Sequence, residues 1–262
     1  MPATSPKIHS GMCSVTLRQE SALAVLDVAA RAGLHRIEWG ADVHVPPGEI
    51  RAAADVRDAG RDRGVMVASY GSYHRVGSDP ADDFPAVLAS AVALGAPRVR
   101  IWAGALGSAQ ASADQRRAVV TATRAAAQRA ADVGVTLAFE YHSGTLTDTA
   151  ASTLRLLAEV DHPAVRTYWQ PPLDLPDAAA VADLRQVLPW VDAVHVFSWW
   201  PRYERLPLTA RDRLWSDVFA VLRAAGRDFD ALLEFVVDDD PDHVATDAAS
   251  LARLASADHH AR

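Results

Sequence analysis

The chain has 262 residues, half of them hydrophobic, a formal charge of −7 and a single cysteine. That is enough apolar material to bury a large core, and a scattered acidic surplus argues against nucleic acid or an anionic membrane surface as the main partner. Cys13 alone excludes an intramolecular disulfide framework and a CxxC metal or redox motif, and neither the start "MPATSPKIHSGMC" nor any later run has the apolar length of a signal or a membrane span, so a cytoplasmic location is expected.

Along the chain, short β-branched runs alternate with Ala/Leu/Arg-rich amphipathic segments. The runs Ile8–Val15, Arg36–Trp39, Val65–Ser69, Val99–Trp102, Thr136–Glu140, Thr167–Gln170, Ala193–Phe197 and Ala231–Val236 read as strands. The segments Ala22–Ala32, Pro47–Arg63, Phe84–Leu94, Ala113–Val133, Asp148–Val160, Ala178–Leu188, Ala210–Ala225 and Asp242–Ala255 carry apolar residues at three-to-four spacing and read as helices. Several end on a glycine before the next strand, as in "RAGLHRIEW" and "ALGAPRVRI", and "TDTAAS" supplies an N-cap. Eight strand–helix units without a Gly/Ser-rich linker predict a single-domain α/β (β/α)8 TIM barrel over residues 1–262. A doubly wound open sheet is the alternative, but no GxGxxG or GxxxxGK[ST] follows any strand.

In such a barrel the site lies where the strands finish. The fifth strand ends "LAFEYH", giving Glu140 and His142; the sixth ends "TYWQPP" at Gln170, where two prolines forbid further ladder pairing. The seventh, "AVHVFSWW", places His195 among apolar neighbours, and the eighth, "LLEFVV", does the same for Glu234. Taken singly, each has a plain structural explanation: a satisfied core histidine, a rim amide, a glutamate paired with one of the many arginines. Together they form a pattern, because buried ionised carboxylates need a cation, a proton or a basic partner. Two carboxylates, an imidazole and an amide oxygen suit one divalent ion, with Mn2+ placed ahead of Mg2+, Co2+ and Zn2+.

The pieces "RIEWGADVHVPPG", "LAFEYHSGTLTDT", "VHVFSW" and "LLEFV" make the chain resemble the xylose-isomerase-like TIM barrels, which include sugar and sugar-phosphate isomerases and epimerases. The resemblance implies one metal held by Glu, Asp, His and Glu from strands five to eight. Glu140, His195 and Glu234 fall on matching positions, and the four strand ends are spaced 30, 25 and 39 residues apart. It further implies that Glu140 and Glu234 act as acid/base pair and ligands, with a cis-enediolate held by the metal. The sequence departs from the pattern at Gln170, which stands where the family has aspartate, and at Leu173, where epimerases often have histidine. A neutral amide brings no charge, so Gln170 is read, in order, as a weaker metal ligand, a substrate contact, or the mark of a lost metal.

Around the expected mouth, Glu38 and His44 follow strand two, with Asp42 between them; Tyr70 and His74 follow strand three, Trp102 strand four, and Trp199 and Arg202 strand seven. With His142 these are the expected substrate contacts, since indoles pack on the C–H faces of a sugar-like ring while polar tips meet its hydroxyls. Covering of the barrel end or a dimer contact explains the tryptophans equally well. The leading expectation is a divalent-metal-dependent isomerase or epimerase of a sugar, keto-sugar or cyclitol. A lyase or dehydratase using the same acid/base pair is the second, and a non-catalytic barrel with a degenerate metal site the third. The expected partner is a small sugar-like molecule, with no nucleic acid and no membrane, and with a homo-oligomer allowed.

Overall fold

The computed structural model describes residues 7–256. Eight parallel strands close into a barrel: β1 (Ile8–Cys13), β2 (Arg36–Gly40), β3 (Met66–Arg75), β4 (Arg98–Trp102), β5 (Thr136–Phe139), β6 (Val165–Trp169), β7 (Val191–Val196) and, after a two-stranded hairpin of β8 (Ser198–Trp199) and β9 (Arg205–Leu206), β10 (Phe229–Leu233). β10 pairs with β1 to complete the ring. Eight helices form the outer layer: α1 (Ala22–Arg31), α2 (Ile50–Asp62), α3 (Phe84–Leu94), α4 (Ala113–Ala131), α5 (Ala150–Val160), α6 (Asp177–Val187), α7 (Asp212–Ala224) and α8 (Pro241–Ser256). The (β/α)8 expectation therefore holds, and no helix among the described residues is long and apolar enough to cross a membrane.

Local chemistry explains most boundaries. Gly95 ends α3 in the left-handed region, φ 66°, where its amide reaches back to Ala91 and Val92 carbonyls. Thr149 caps α5 by accepting the Ser152 N–H, so that helix starts at Ala150, two residues later than expected. The clearest difference lies in β3, which continues past Ser69 to Arg75: pairing with β4 is lost after Gly71 and regained at Arg75, an irregularity that carries the aromatic "SYGSYHR" along the barrel rather than into a loop. β6 stops at Trp169, one residue before Gln170, as its prolines require.

Strand alternation divides the core in two. Ile37, Val99, Ile101, Val194 and Val196 face outward into the large layer between strands and helices. Cys13, Ala68, Ala138, Tyr168, Ala193 and Leu232 fill the barrel's inside. Those inner side chains are mostly small, which leaves room for a polar cluster above them. At the opposite end Asp230 is paired with Arg36 and Arg98, plugging the floor with compensated charge.

Candidate active site

Glu38 stands at the centre of the cluster. It lies on β2, 1% exposed, and each carboxylate oxygen is occupied: Ser69 Oγ and the Tyr168 hydroxyl donate to Oε2 at 2.7 and 2.8 Å, and Arg100 Nε donates to Oε1 at 2.8 Å. Burial opposes its charge, but the Arg100 guanidinium, followed by His195 and Ser69, overrides burial and holds the carboxyl well below the usual carboxylate range. Glu38 thus lies beneath the mouth, not on its wall, and does not touch the cavity where substrate contact was expected.

Arg100 is the residue the strand-end reading passed over. On β4, "RVRIW", the inward positions are Arg98, Arg100 and Trp102. Arg100 is 1% exposed, pairs with Glu38 through Nε and with Glu140 Oε2 through Nη1, and lies 4.8 Å from the centroid of the Tyr73 ring. Trp102 Nε1 donates to the same Glu140 oxygen at 2.5 Å. The signal was present in the sequence: an arginine at an inward position of a short strand needs a buried anion.

His195 on β7 is fully buried. Its Nδ1 lies 2.8 Å from Gln170 Oε1 and 3.2 Å from Glu234 Oε2, and its Nε2 is 3.6 Å from Glu38 Oε1. Burial disfavours the imidazolium, yet Glu234 outweighs it and raises His195 well above its ordinary value; Glu234, itself opposed by burial, is lowered in turn by His195. Cys13 Sγ approaches Glu38 at 3.8 Å, and burial pushes the thiol up to about 12.

Above this cluster a cavity of about 590 Å3 opens at the strand C-terminal ends. Glu140, Gln170, Glu234, Trp102, His142, Trp199 and Arg202 reach it as expected, joined by Tyr73 from the aromatic stretch "SYGSYHR" and by Phe235 and Arg18. His142 stacks on Trp102 with centroids 4.5 Å apart; burial lowers its pKa, and its Nδ1 is 2.5 Å from the Ser143 carbonyl, so Nε2 is left as the free base. Tyr73 and Phe235 hold positive φ of 57° and 61°, backbone strain concentrated on the cavity wall. Arg202 is exposed and spans to Asp174 at 2.8 Å.

Besides Glu38, three expected contacts lie elsewhere. His44 is buried against Trp39, with Nδ1 2.9 Å from Ser14 Oγ and Nε2 3.2 Å from the Glu20 carbonyl, a structural bridge between loops. Tyr70 points outward and donates its hydroxyl to the Val45 carbonyl at 2.7 Å. His74 packs on Phe84 and borders a groove of about 690 Å3 between the start of α3 and α4, larger than the mouth cavity but away from every carboxylate of the cluster. Alternation explains all three, because an extended β3 and a tight turn after β2 send these side chains away from the axis.

A ring nitrogen of His195, Cys13 Sγ and a Glu234 oxygen lie within 4.8 Å of one another, close enough for one ion to bridge. The four-residue set expected from strands five to eight does not fit a divalent ion as these residues stand. Glu140 Oε2 is taken by Arg100 and Trp102, Gln170 is neutral and turned to His195, and His195 Nδ1 is shared between Gln170 and Glu234. Cys13 Sγ, the third member of that trio, lies inside the barrel 3.8 Å from Glu38 Oε1 and does not line the cavity.

The closed barrel with an acid, base and aromatic lined mouth defines the (β/α)8 enzyme-like architecture. The chain belongs to the family described as xylose isomerase-like TIM barrels, whose model matches residues 26–254. It is 34% identical over 104 residues to a 3-dehydroshikimate dehydratase of Bacillus anthracis, covering 37% of this chain and about a third (35%) of that protein's length. Among solved structures, the probable 3-dehydroshikimate dehydratase of petrobactin synthesis from Bacillus anthracis matches with TM-score 0.76 at 20% identity, covering 94% of this chain and 98% of that one. A D-psicose 3-epimerase from Clostridium cellulolyticum H10 matches with TM-score 0.74 at 14% identity, covering 94% and 97%. A 3-keto-D-glucoside 4-epimerase from E. coli matches with TM-score 0.72 at 17% identity, covering 96% and 100%.

Proposed function

We propose that the chain is an enzyme that removes a proton from the carbon beside a carbonyl in a small polyhydroxylated ketone and then expels a hydroxyl from the next carbon as water. The observation that carries this reading is the unequal state of the two mouth carboxylates. Glu140 is fixed by the Arg100 guanidinium and the Trp102 indole on one oxygen, so it serves as an acceptor and an orienting anion. Glu234 faces the cavity with His195 Nδ1 3.2 Å behind it. An epimerisation that passes a proton between two carboxylates on opposite faces needs one of them to donate, whereas a single base can take a proton and return it to the departing hydroxyl.

In this scheme Glu234 accepts the carbon-bound proton, and the C–H electron pair delocalises onto the carbonyl oxygen. As that pair returns, the C–O bond on the neighbouring carbon breaks, and the hydroxyl leaves with the proton from Glu234 as water. No redox change occurs, and the enzyme is restored. Negative charge developing on the substrate lies above the buried cations Arg100 and His195, which sit beneath the cavity floor. Trp102, His142 and Trp199 offer the flat faces that a ring of C–H and hydroxyl groups packs against.

The dehydratase name of the Bacillus anthracis relative, matched at 34% identity over 104 residues, supports elimination over the isomerase and epimerase outcome that the strand ends first suggested. Incubation in D2O with 3-dehydroshikimate and with D-psicose, followed by mass spectrometry, separates the two. Elimination gives a product one water lighter, lost in Glu234→Gln. A product of unchanged composition carrying solvent deuterium would instead establish isomerisation or epimerisation.

A further inference from the structure

We propose that the guanidinium of Arg100 is the built-in cation of this site and that the barrel holds its strand-end carboxylates together without a divalent metal. Arg100 bridges two carboxylates from different strands, Glu38 on β2 and Glu140 after β5, through separate nitrogens. That is the work a metal ion would do between carboxylates, done by a group that cannot lose its charge in a protein.

The neighbouring backbone is shaped for it. Gly71 on β3 is in register with Arg100, and a Cβ at Gly71 would lie 2.6 Å from Arg100 Nη2 and 2.9 Å from Glu38 Oε1. Gly71 has no positive φ to explain it, so the space it leaves is what this glycine contributes. Tyr73 closes the guanidinium from above, with its ring centroid 4.8 Å away. Arg100 is therefore seated between an absent side chain and an aromatic ring.

The second observation is charge. In the arrangement the family resemblance implies, a divalent ion and an aspartate together add one positive charge to the remaining Glu, His and Glu. Here Arg100 with neutral Gln170 adds the same single charge, and it must also serve Glu38, a further carboxylate on the same guanidinium. A divalent ion placed on Glu140 in addition would stand against a guanidinium, itself 1% exposed, that is already paired with that carboxylate. Gln170 is then matched to Arg100: an aspartate there would leave the buried cluster one negative charge too rich.

The test reads metal binding directly, with no turnover, so it stands or falls separately from the elimination reading. Mn2+ is titrated against the purified, chelator-treated full chain, Gln170→Asp, and Arg100→Gln/Gln170→Asp, with free Mn2+ followed by electron paramagnetic resonance and folding by circular dichroism. The expected result is no saturable micromolar binding in wild type or Gln170→Asp, and binding tighter by roughly 100-fold in the double variant. One equivalent of Mn2+ bound by wild type overturns the proposal. Micromolar binding by Gln170→Asp alone overturns it too, since the amide and not Arg100 would then be what excludes the ion. Those two measurements decide the matter even where the double variant fails to fold.

Discussion

Replacing Glu38 by glutamine removes one negative charge from the middle of the barrel while keeping the side chain's shape. Three donors converge on the carboxylate, and they differ in freedom. The hydroxyls of Ser69 and Tyr168 can turn and accept from an amide N–H, whereas Arg100 Nε–H cannot, so the glutamine must keep its oxygen toward Arg100. What is lost is the charge facing a buried guanidinium, which retains Glu140 as its other anion. Removing one partner of a buried pair costs about 3–5 kcal/mol, and the remaining anion places this case near the lower end. In a chain of this size about 3 kcal/mol lowers Tm by roughly 6–12 °C. Urea unfolding should show a lower midpoint at unchanged slope, and Tyr168→Phe, which removes only one hydroxyl donor, should cost about 1 kcal/mol. Because Glu38 is held ionised well below its ordinary 4.5, its contribution is complete above that pH and is lost as pH falls further, so the gap between wild type and Glu38→Gln must close in acid. A loss under about 0.5 kcal/mol at neutral pH would refute the central role given to Glu38.

Gly71→Ala should displace the Arg100 guanidinium, costing about 1–3 kcal/mol, and a crystal structure should show the side chain shifted off Glu38; unchanged stability would mean that the cradle is not tight. Cys13, fully buried with its thiol pushed up to about 12, should resist iodoacetamide at pH 8 in the native protein and react once unfolded, as read by mass spectrometry. His44, His74 and His142 are all lowered from 6.5 by burial. Below 6.5 the unfolded chain therefore binds protons that the native state refuses, so stability should fall as pH drops below that value; the raised His195 opposes this only within about one pH unit of 6.5, until the unfolded histidine is protonated too, and one such group does not offset three. A Tm that is flat or rises from pH 6.5 to 5 would contradict that burial.

The fold was legible because its cues are local and repeated. Glycines close helices before strands, alternation marks each strand, and the prolines after Gln170 stop β6 where the structure stops it. Glu140, His195 and Glu234 were legible because a charged residue inside an apolar strand needs an explanation wherever it occurs. The partners that explain them were harder to see. Arg100 read as one arginine among many, since sequence does not say which arginine faces inward until β4's register is fixed by Val99 and Ile101 packing outward. His44, Tyr70 and His74 were placed at the mouth by proximity in sequence, but their direction depends on how far β3 extends and where its register slips. That slip has no signature in "SYGSYHR" beyond the glycine, whose purpose is visible only against the guanidinium it accommodates.

A buried arginine and a bound metal are not equivalent in what they leave for the substrate. A metal can take substrate oxygens into its coordination shell; Arg100, 1% exposed and roofed by Tyr73, cannot. Its influence passes through Glu140, and in the proposed elimination the holding of hydroxyls falls to side chains on the cavity wall. Gln170 is suited to that work in a way an aspartate is not. Its Oε1 is fixed by His195 Nδ1, which sets the amide's orientation, and no side-chain or backbone acceptor among the described residues takes its Nε2. The amide therefore uses its acceptor to tie down the buried imidazole and turns its donor toward the cavity. An aspartate offers acceptors alone, so glutamine at this position also supplies a hydrogen-bond donor at the cavity wall.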